Sequence, residues 1–335
     1  MKENIYITLS GEDRILIFGL DPTNGDLESV GALALEGGPA PLALSPDNRY
    51  LYAGLRNSLR VASLRIDRST GALSQAGSVG LESDPCFLAT DRKGRYLFSS
   101  YYRAGRVAVH SINADGSVST SPIEWRETAL NAHSIQTDPS NRFAFVPHTG
   151  PNVIFQFLFD EETGRLTPNA IPHVRPPEGT EPRHFTFHPK GDVVYVVNER
   201  GSSVTAYRFD ASAGTLSAFQ TVSTLPEGFE GENTCAQIRI APTGKYLYAS
   251  NRGHDSIACF SIHDTTGSLA SLGQVETEPT PRAFNLDTSG SYLFAAGRTS
   301  GRLASYRIDP QTGGLEPLKV YTLGERPMWV LPVRL

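Results

Sequence analysis

Residues 15–27 read ILIFGLDPTNGDL: an alternating apolar run, a polar corner turning at Gly25, and a leucine two residues further on. The phrase returns as VASLRIDRSTGAL (61–73), VAVHSINADGSV (107–118), IFQFLFDEETGRL (154–166), VTAYRFDASAGTL (204–216), IACFSIHDTTGSL (257–269) and LASYRIDPQTGGL (303–315). Successive turn glycines, from Gly25 through Gly71, Gly116, Gly164, Gly214 and Gly267 to Gly313, are 46, 45, 48, 50, 53 and 46 residues apart. Strict alternation marks a half-buried strand, and a glycine at the corner supplies the positive φ that a tight hairpin turn needs. A repeat of this length, built from strands, is the signature of a propeller.

A second hairpin lies between the first ones. Its copies are LALSPDNRYLYAGL (42–55), FLATDRKGRYLFSS (87–100), IQTDPSNRFAFVP (135–147), FTFHPKGDVVYVV (185–197), IRIAPTGKYLYAS (238–250) and NLDTSGSYLFAA (285–296). They turn at Asn48, Gly94, Asn141, Gly191, Gly244 and Gly290, residue types that tolerate the left-handed conformation. Two hairpins per period make four strands, A to D. The N-terminal stretch supplies B, C and D of one further blade but no A, and the C-terminal MWVLPVRL (328–335) is an A strand without a B. Joining them closes the ring and removes the exposed edges. The expectation is an all-β, seven-bladed β-propeller with four antiparallel strands per blade. It forms a single domain over residues 1–335, because no linker interrupts the repeat.

Composition narrows the function. The net charge of −5 argues against a protein that neutralises phosphate backbones, so no nucleic-acid partner is expected. No apolar run is long enough to span a bilayer and the N-terminus lacks the apolar core of a signal peptide, so the expected place is the cytoplasm, away from membranes. Cys86, Cys235 and Cys259 are too few and too scattered for a disulfide framework or a zinc site, and are expected as buried thiols.

Strand A of a propeller lines the channel, and the D–A and B–C loops emerge on one face. Residues equally distant from the A–B turn, before and after it, should therefore lie level. Eight before are Ala40, Cys86, His133, Arg183, Ala236 and Arg282; eight after are Arg56, Tyr102, Thr149, Glu199, Arg252 and Arg298. Their neighbours add Ser134, His148, His184, Asn198, Gln237 and Asn251. A single loop arginine is more often a solvated charge, and Trp329 is more readily core packing than a substrate platform. The set is harder to explain as surface decoration: arginines, a histidine and a glutamate in register, at positions the repeat does not require to be charged. Such a rim suits a small anion, since guanidinium groups fork onto phosphate or carboxylate while a carboxylate or imidazole takes a proton. No G-x-S-x-G elbow, activated cysteine or metal-ligand spacing is present, so neither a covalent nucleophile, a metal nor a cofactor is expected.

The segments AHSIQTDPSNRF (132–143), EPRHFTFHPKG (181–191), VVYVVNERGSSV (193–204), YLYASNRG (246–253), PRAFNLDTSGSYLFAAGR (281–298) and RPMWV (326–330) resemble the lactonase family of seven-bladed propellers. That family includes bacterial cycloisomerase-type 6-phosphogluconolactonases and fungal 3-carboxy-cis,cis-muconate lactonising enzymes. The resemblance covers essentially the whole chain. It implies catalytic roles for His133 in its H-S step, Arg183 in P-R-H, Glu199 in N-E and Arg252 in N-R. Arg56, His148, His184, Asn198, Gln237, Arg282 and Arg298 are the candidate substrate-binding residues. His148 stands where the family pattern differs. The expected activity is hydrolysis of a small anionic lactone, most simply 6-phosphogluconolactone, with Glu199 or His133 activating water and arginines holding the anion and polarising the carbonyl. The alternatives are a carboxymuconate cycloisomerase on the same rim, or a non-enzymatic binding scaffold.

Overall fold

Seven four-stranded antiparallel sheets account for every regular element of the computed structural model, which describes residues 2–335. Each sheet runs in simple order from an inner strand A to an outer strand D. Blade 1 comprises Pro39–Leu44, Tyr50–Leu55, Arg60–Ile66 and Leu73–Gly80. Blades 2 to 6 follow in order, starting at Phe87, Gln136, Pro182, Thr234 and Pro281. In blade 7, Pro327–Arg334 is strand A and pairs antiparallel with Glu3–Leu9, which pairs in turn with Arg14–Leu20. The ends are also latched by side chains. The Glu3 carboxylate accepts from the Thr288 amide at 2.8 Å and hydroxyl at 2.7 Å, and Lys2 Nζ donates to the Ser69 and Thr70 carbonyls at 3.2 and 3.1 Å.

Burial falls off outward along each blade. Strands B are buried almost throughout; strands D expose most of their residues. The leucine two residues after the turn glycine is buried at the inner start of this edge: Leu27, Leu73, Leu166, Leu216, Leu269 and Leu315 are all buried, which explains the recurring x-Leu.

The turn glycines do more than relax the backbone. Gly116 has φ +80°, and a Cβ there would lie 2.2 Å from the Tyr50 ring of the preceding blade. Gly313 has φ +72° and is covered in the same way by Tyr246, Gly214 by Phe143 and Gly164 by Tyr96. A second ring of contacts seals the same corner. The hydroxyls of Tyr6, Tyr52, Tyr195 and Tyr248, on strands B, donate to the carbonyls of Gly71, Gly116, Gly267 and Gly313 of the next blade at 2.7–3.1 Å. Blades are therefore joined by apolar packing and by a repeated hydrogen bond. Tyr248→Phe leaves a buried carbonyl without its donor and is expected to cost about 1–3 kcal/mol. A denaturant titration checks this; an unchanged midpoint would mean that the bond contributes nothing.

Candidate active site

Strand A carries one residue too many for its partner in five blades. The A–B ladder shifts register between Pro39 and Leu42, Pro182 and His184, Cys235 and Ile238, Pro281 and Ala283, and at Met328 in blade 7. Each is a β-bulge, which frees a residue from the ladder and re-aims its side chain. The freed positions include Arg183 and Arg282. The bulge in blade 4 also lets consecutive residues, Arg183 and His184, line the same narrow pocket with Arg56, Cys86, Arg282 and Trp329. In blade 3 the inner strand is reduced to Gln136–Thr137, and His133 precedes it in irregular backbone.

Arg183, Glu199 and Arg252 form the centre of the mouth. Arg183 is 1% exposed; its Nε lies 3.4 Å from Glu199 Oε2 and its Nη1 donates to the Ala236 carbonyl. Arg252 Nη2 donates to Glu199 Oε1 at 2.6 Å and to the Cys235 carbonyl at 2.7 Å. Burial pushes the Glu199 carboxyl up, but Arg183 and Arg252 outweigh it and hold it below the ordinary carboxylate value. Burial lowers Arg183 to about 10, still far above neutral, so one carboxylate faces two guanidiniums. Arg282 adds a third. Burial and then the Arg183 and Arg252 charges bring it well below the ordinary arginine value, and its side chain has no hydrogen bond or ion pair among the described residues. An uncompensated guanidinium beside an Arg–Glu–Arg cluster is a site for an added anion.

His133 sits edge-on to Tyr102 at 5.5 Å and to His184 at 4.9 Å between ring centroids. Its Nδ1 is buried without a partner, and burial followed by the Arg183 charge brings its pKa well below 6.5, so the ring is neutral. His184 is neutral for the same two reasons. The orientation of Gln237 that satisfies its surroundings accepts from Arg239 through oxygen at 2.6 and 3.2 Å and donates through nitrogen to His184 Nδ1. Phe87 and Trp329 close on the His184 ring at 5.1 and 6.2 Å between centroids.

The family model for lactonases of the seven-bladed β-propeller type matches residues 5–332. The chain belongs to this family. Among relatives, the 6-phosphogluconolactonase of Pectobacterium carotovorum subsp. carotovorum (strain PC1) is 36% identical over 331 residues, covering 98% of each chain. That of Enterobacter sp. (strain 638) is 36% identical over 331 residues, covering 99% of each. A solved structure of a putative 6-phosphogluconolactonase from Bacteroides uniformis superposes with a TM-score of 0.91 at 27% identity, covering 99% of both chains. The periplasmic gluconolactonase of Pseudomonas aeruginosa has the same fold, with a TM-score of 0.92 at 24% identity and 99% coverage of both. The molecule is thus a hydrolytic enzyme of the lactonase family, and small lactones are the substrates of its class.

Within this lactonase the residues named from the sequence divide by position. Arg183, Glu199, Arg252 and Arg282 converge, and His133 and His184 adjoin them. Arg56 lines the same pocket and pairs with Asp84, and Arg298 stands further out, half-buried. His148 and Asn198 lie one residue short of the level ring and face into their blades. His148 Nε2 bonds Thr128 Oγ1 at 2.9 Å with its ring on Phe155, and Asn198 Nδ2 donates to Ser203 and Thr205 at 3.0 and 2.8 Å. Gln237 reaches the site only through His184. Arg239, half-buried against Gln237, lies outside the level ring, as do Arg103 and Arg326 at the outer mouth. Cys86, Cys235 and Cys259 are free and buried; burial raises Cys86 and brings Cys235 to about 11, so neither thiol beside the site is a thiolate. Among the described residues no helix could cross a membrane, and no group of three His, Cys, Asp or Glu is placed to hold a metal.

The imidazoles set a pH dependence. The unfolded chain takes up protons at His133 and His184 near the ordinary value of 6.5, whereas the folded chain does so only well below it. Their burial therefore withdraws stability as pH falls below 6.5. Glu199 has the opposite balance: its stabilisation is complete above the ordinary 4.5 and is lost as pH falls through its lowered value. The urea midpoint is expected to drop between about pH 7 and pH 5, and less so in His184→Gln. A flat midpoint across that range in the wild type would contradict neutral, buried rings. Glu199→Leu leaves Arg183 buried without its counter-charge and is expected to cost about 3 kcal/mol at neutral pH, read in the same titration.

Proposed function

We propose that this lactonase hydrolyses a phosphorylated sugar lactone, most simply 6-phosphogluconolactone, in the cytoplasm. The observation that carries the reading is the surplus of guanidinium at the mouth: Arg183, Arg252 and Arg282 against the single carboxylate of Glu199. The full-length relatives named for this reaction support the same substrate. Arg183 and Arg252 polarise the ring carbonyl and stabilise the oxyanion that forms as water adds to it. Between the two candidate bases, His133 is favoured. Both Glu199 oxygens face guanidiniums, whereas the His133 ring is neutral and its Nδ1 is buried without a side-chain partner among the described residues. Water gives its proton to the imidazole as it attacks. The tetrahedral adduct then collapses, the ring C–O bond breaks, and the proton passes to the departing hydroxyl. Glu199 keeps the two arginines charged and oriented.

The test is acid release from freshly prepared 6-phosphogluconolactone, with the spontaneous rate subtracted. Arg183→Ala is expected to lower kcat/KM by about 10²–10³-fold, and His133→Asn to lower kcat by about 10²–10⁴-fold. Because kcat/KM reports groups of the free enzyme, its pH profile should show no inflection near the ordinary histidine value. Full activity in both variants would remove this site. No acceleration by wild type would remove the substrate, and turnover of a carboxymuconate would then assign the mouth to cycloisomerisation.

A further inference from the structure

The arginines of the mouth belong to two separate groups. Beyond the central cluster lies an outer basin of about 340 Å³ that contains Arg56, Arg103, Arg298 and Arg326. These come from the B–C loops of blades 1, 2 and 6 and the D–A loop into blade 7, so the basin spans four successive blades. Asp84 is the one carboxylate lining it, and it is taken up by Arg56. The side chains of Arg103, Arg298 and Arg326 make no hydrogen bond or ion pair among the described residues. Elsewhere on the surface, arginines are commonly paired: Arg95 with Glu162, Arg106 with Glu127, Arg302 with Glu278. Burial, then Arg326, Arg252 and Arg56, lower the Arg298 pKa, so these charges repel one another in the free protein. Grouping unpaired guanidiniums costs stability that only a bound anion returns.

A further observation gives the basin a direction: it is continuous with the inner pocket, for Ala40, Arg56 and Met328 line both. A ligand seated on Arg183 and Arg282 has a path into it.

We infer that the outer basin is the phosphate subsite of the lactonase: Arg103, Arg298 and Arg326, with Arg56, hold a phosphate monoester dianion while the lactone carbonyl lies at Arg183 and Arg252. This rests on the phosphosugar reading above. It assigns to Arg103 and Arg326 the choice between phosphorylated and unphosphorylated lactones.

The experiment compares wild type with Arg103→Met/Arg326→Met, variants that keep an unbranched apolar stem. Hydrolysis of 6-phosphogluconolactone and of glucono-1,5-lactone is measured, each with the spontaneous rate subtracted. Binding of inorganic phosphate is followed by calorimetry. The preference for the phosphorylated lactone should fall roughly 100-fold in the double variant, mainly through KM, as expected for the loss of two charge-assisted contacts. Affinity for inorganic phosphate should fall with it. An undiminished preference and undiminished phosphate affinity would overturn the subsite while leaving the lactonase reading intact. If wild type accelerates neither lactone, the substrate reading fails, and phosphate binding alone decides the basin: loss of binding in the variant supports it, equal binding in both proteins refutes it.

Discussion

Closure of the ring is the constraint from which the rest of the molecule follows. The pairing of Pro327–Arg334 with Glu3–Leu9 converts a row of sheets with two open edges into a cycle in which every blade has two neighbours. Only then do the inner strands share one axis, and only then does a position in one repeat acquire a fixed height relative to the same position in the others. The latches at Glu3 and Lys2 act on the same seam, tying the first strand to blades 6 and 1. The candidate site draws on four of these blades, 3, 4, 5 and 6, through His133, Arg183, Arg252 and Arg282.

On that frame the mouth sets desolvation against pairing. A guanidinium as buried as Arg183 is tolerable because Glu199 is within ion-pair distance, and Glu199 stays ionised because Arg252 approaches from the other side. The cluster has a net positive charge that the protein does not neutralise. His133 and His184 remain uncharged beside it, since burial and the arginine field act on them in the same direction. One short stretch of channel therefore holds fixed cations, a fixed anion and neutral imidazoles.

The fold was legible because its signal is periodic. Each turn glycine and each following leucine is demanded by local backbone geometry, and the split blade could be read from what each end lacked. What periodicity did not reveal is why glycine is required twice over: the Tyr50, Tyr96 and Tyr246 rings lie against glycines of the neighbouring blade, contacts between residues more than sixty positions apart. In the candidate site, counting from the turns reached Arg183, Glu199, Arg252 and Arg282, because hairpin arms of equal length end at equal height. Neighbours were harder to place. In a regular strand the next residue points to the other face, as His148 and Asn198 do, but a bulge cancels the alternation, which is how His184 faces the pocket beside Arg183. Arg326 escaped the count because blade 7 has no A–B turn to count from, and Arg103 because it lies one residue beyond the level examined.

The bulges also bear on how such a molecule can diverge. A residue expelled from the ladder contributes little to the hydrogen-bonded pairing of its strand, so its identity is nearly free of that pairing. The sequence already shows this latitude: Arg183, Arg282 and Met328 occupy equivalent bulged positions, on backbones that differ little from blade to blade. Selection can exchange the chemistry at these sockets one at a time while the hydrogen-bonded sheet, the turn glycines and the tyrosine ties stay fixed. The ring is in this sense a modular rim on an inert wheel: the chemistry of the mouth is separable from the hydrogen bonding that holds the scaffold.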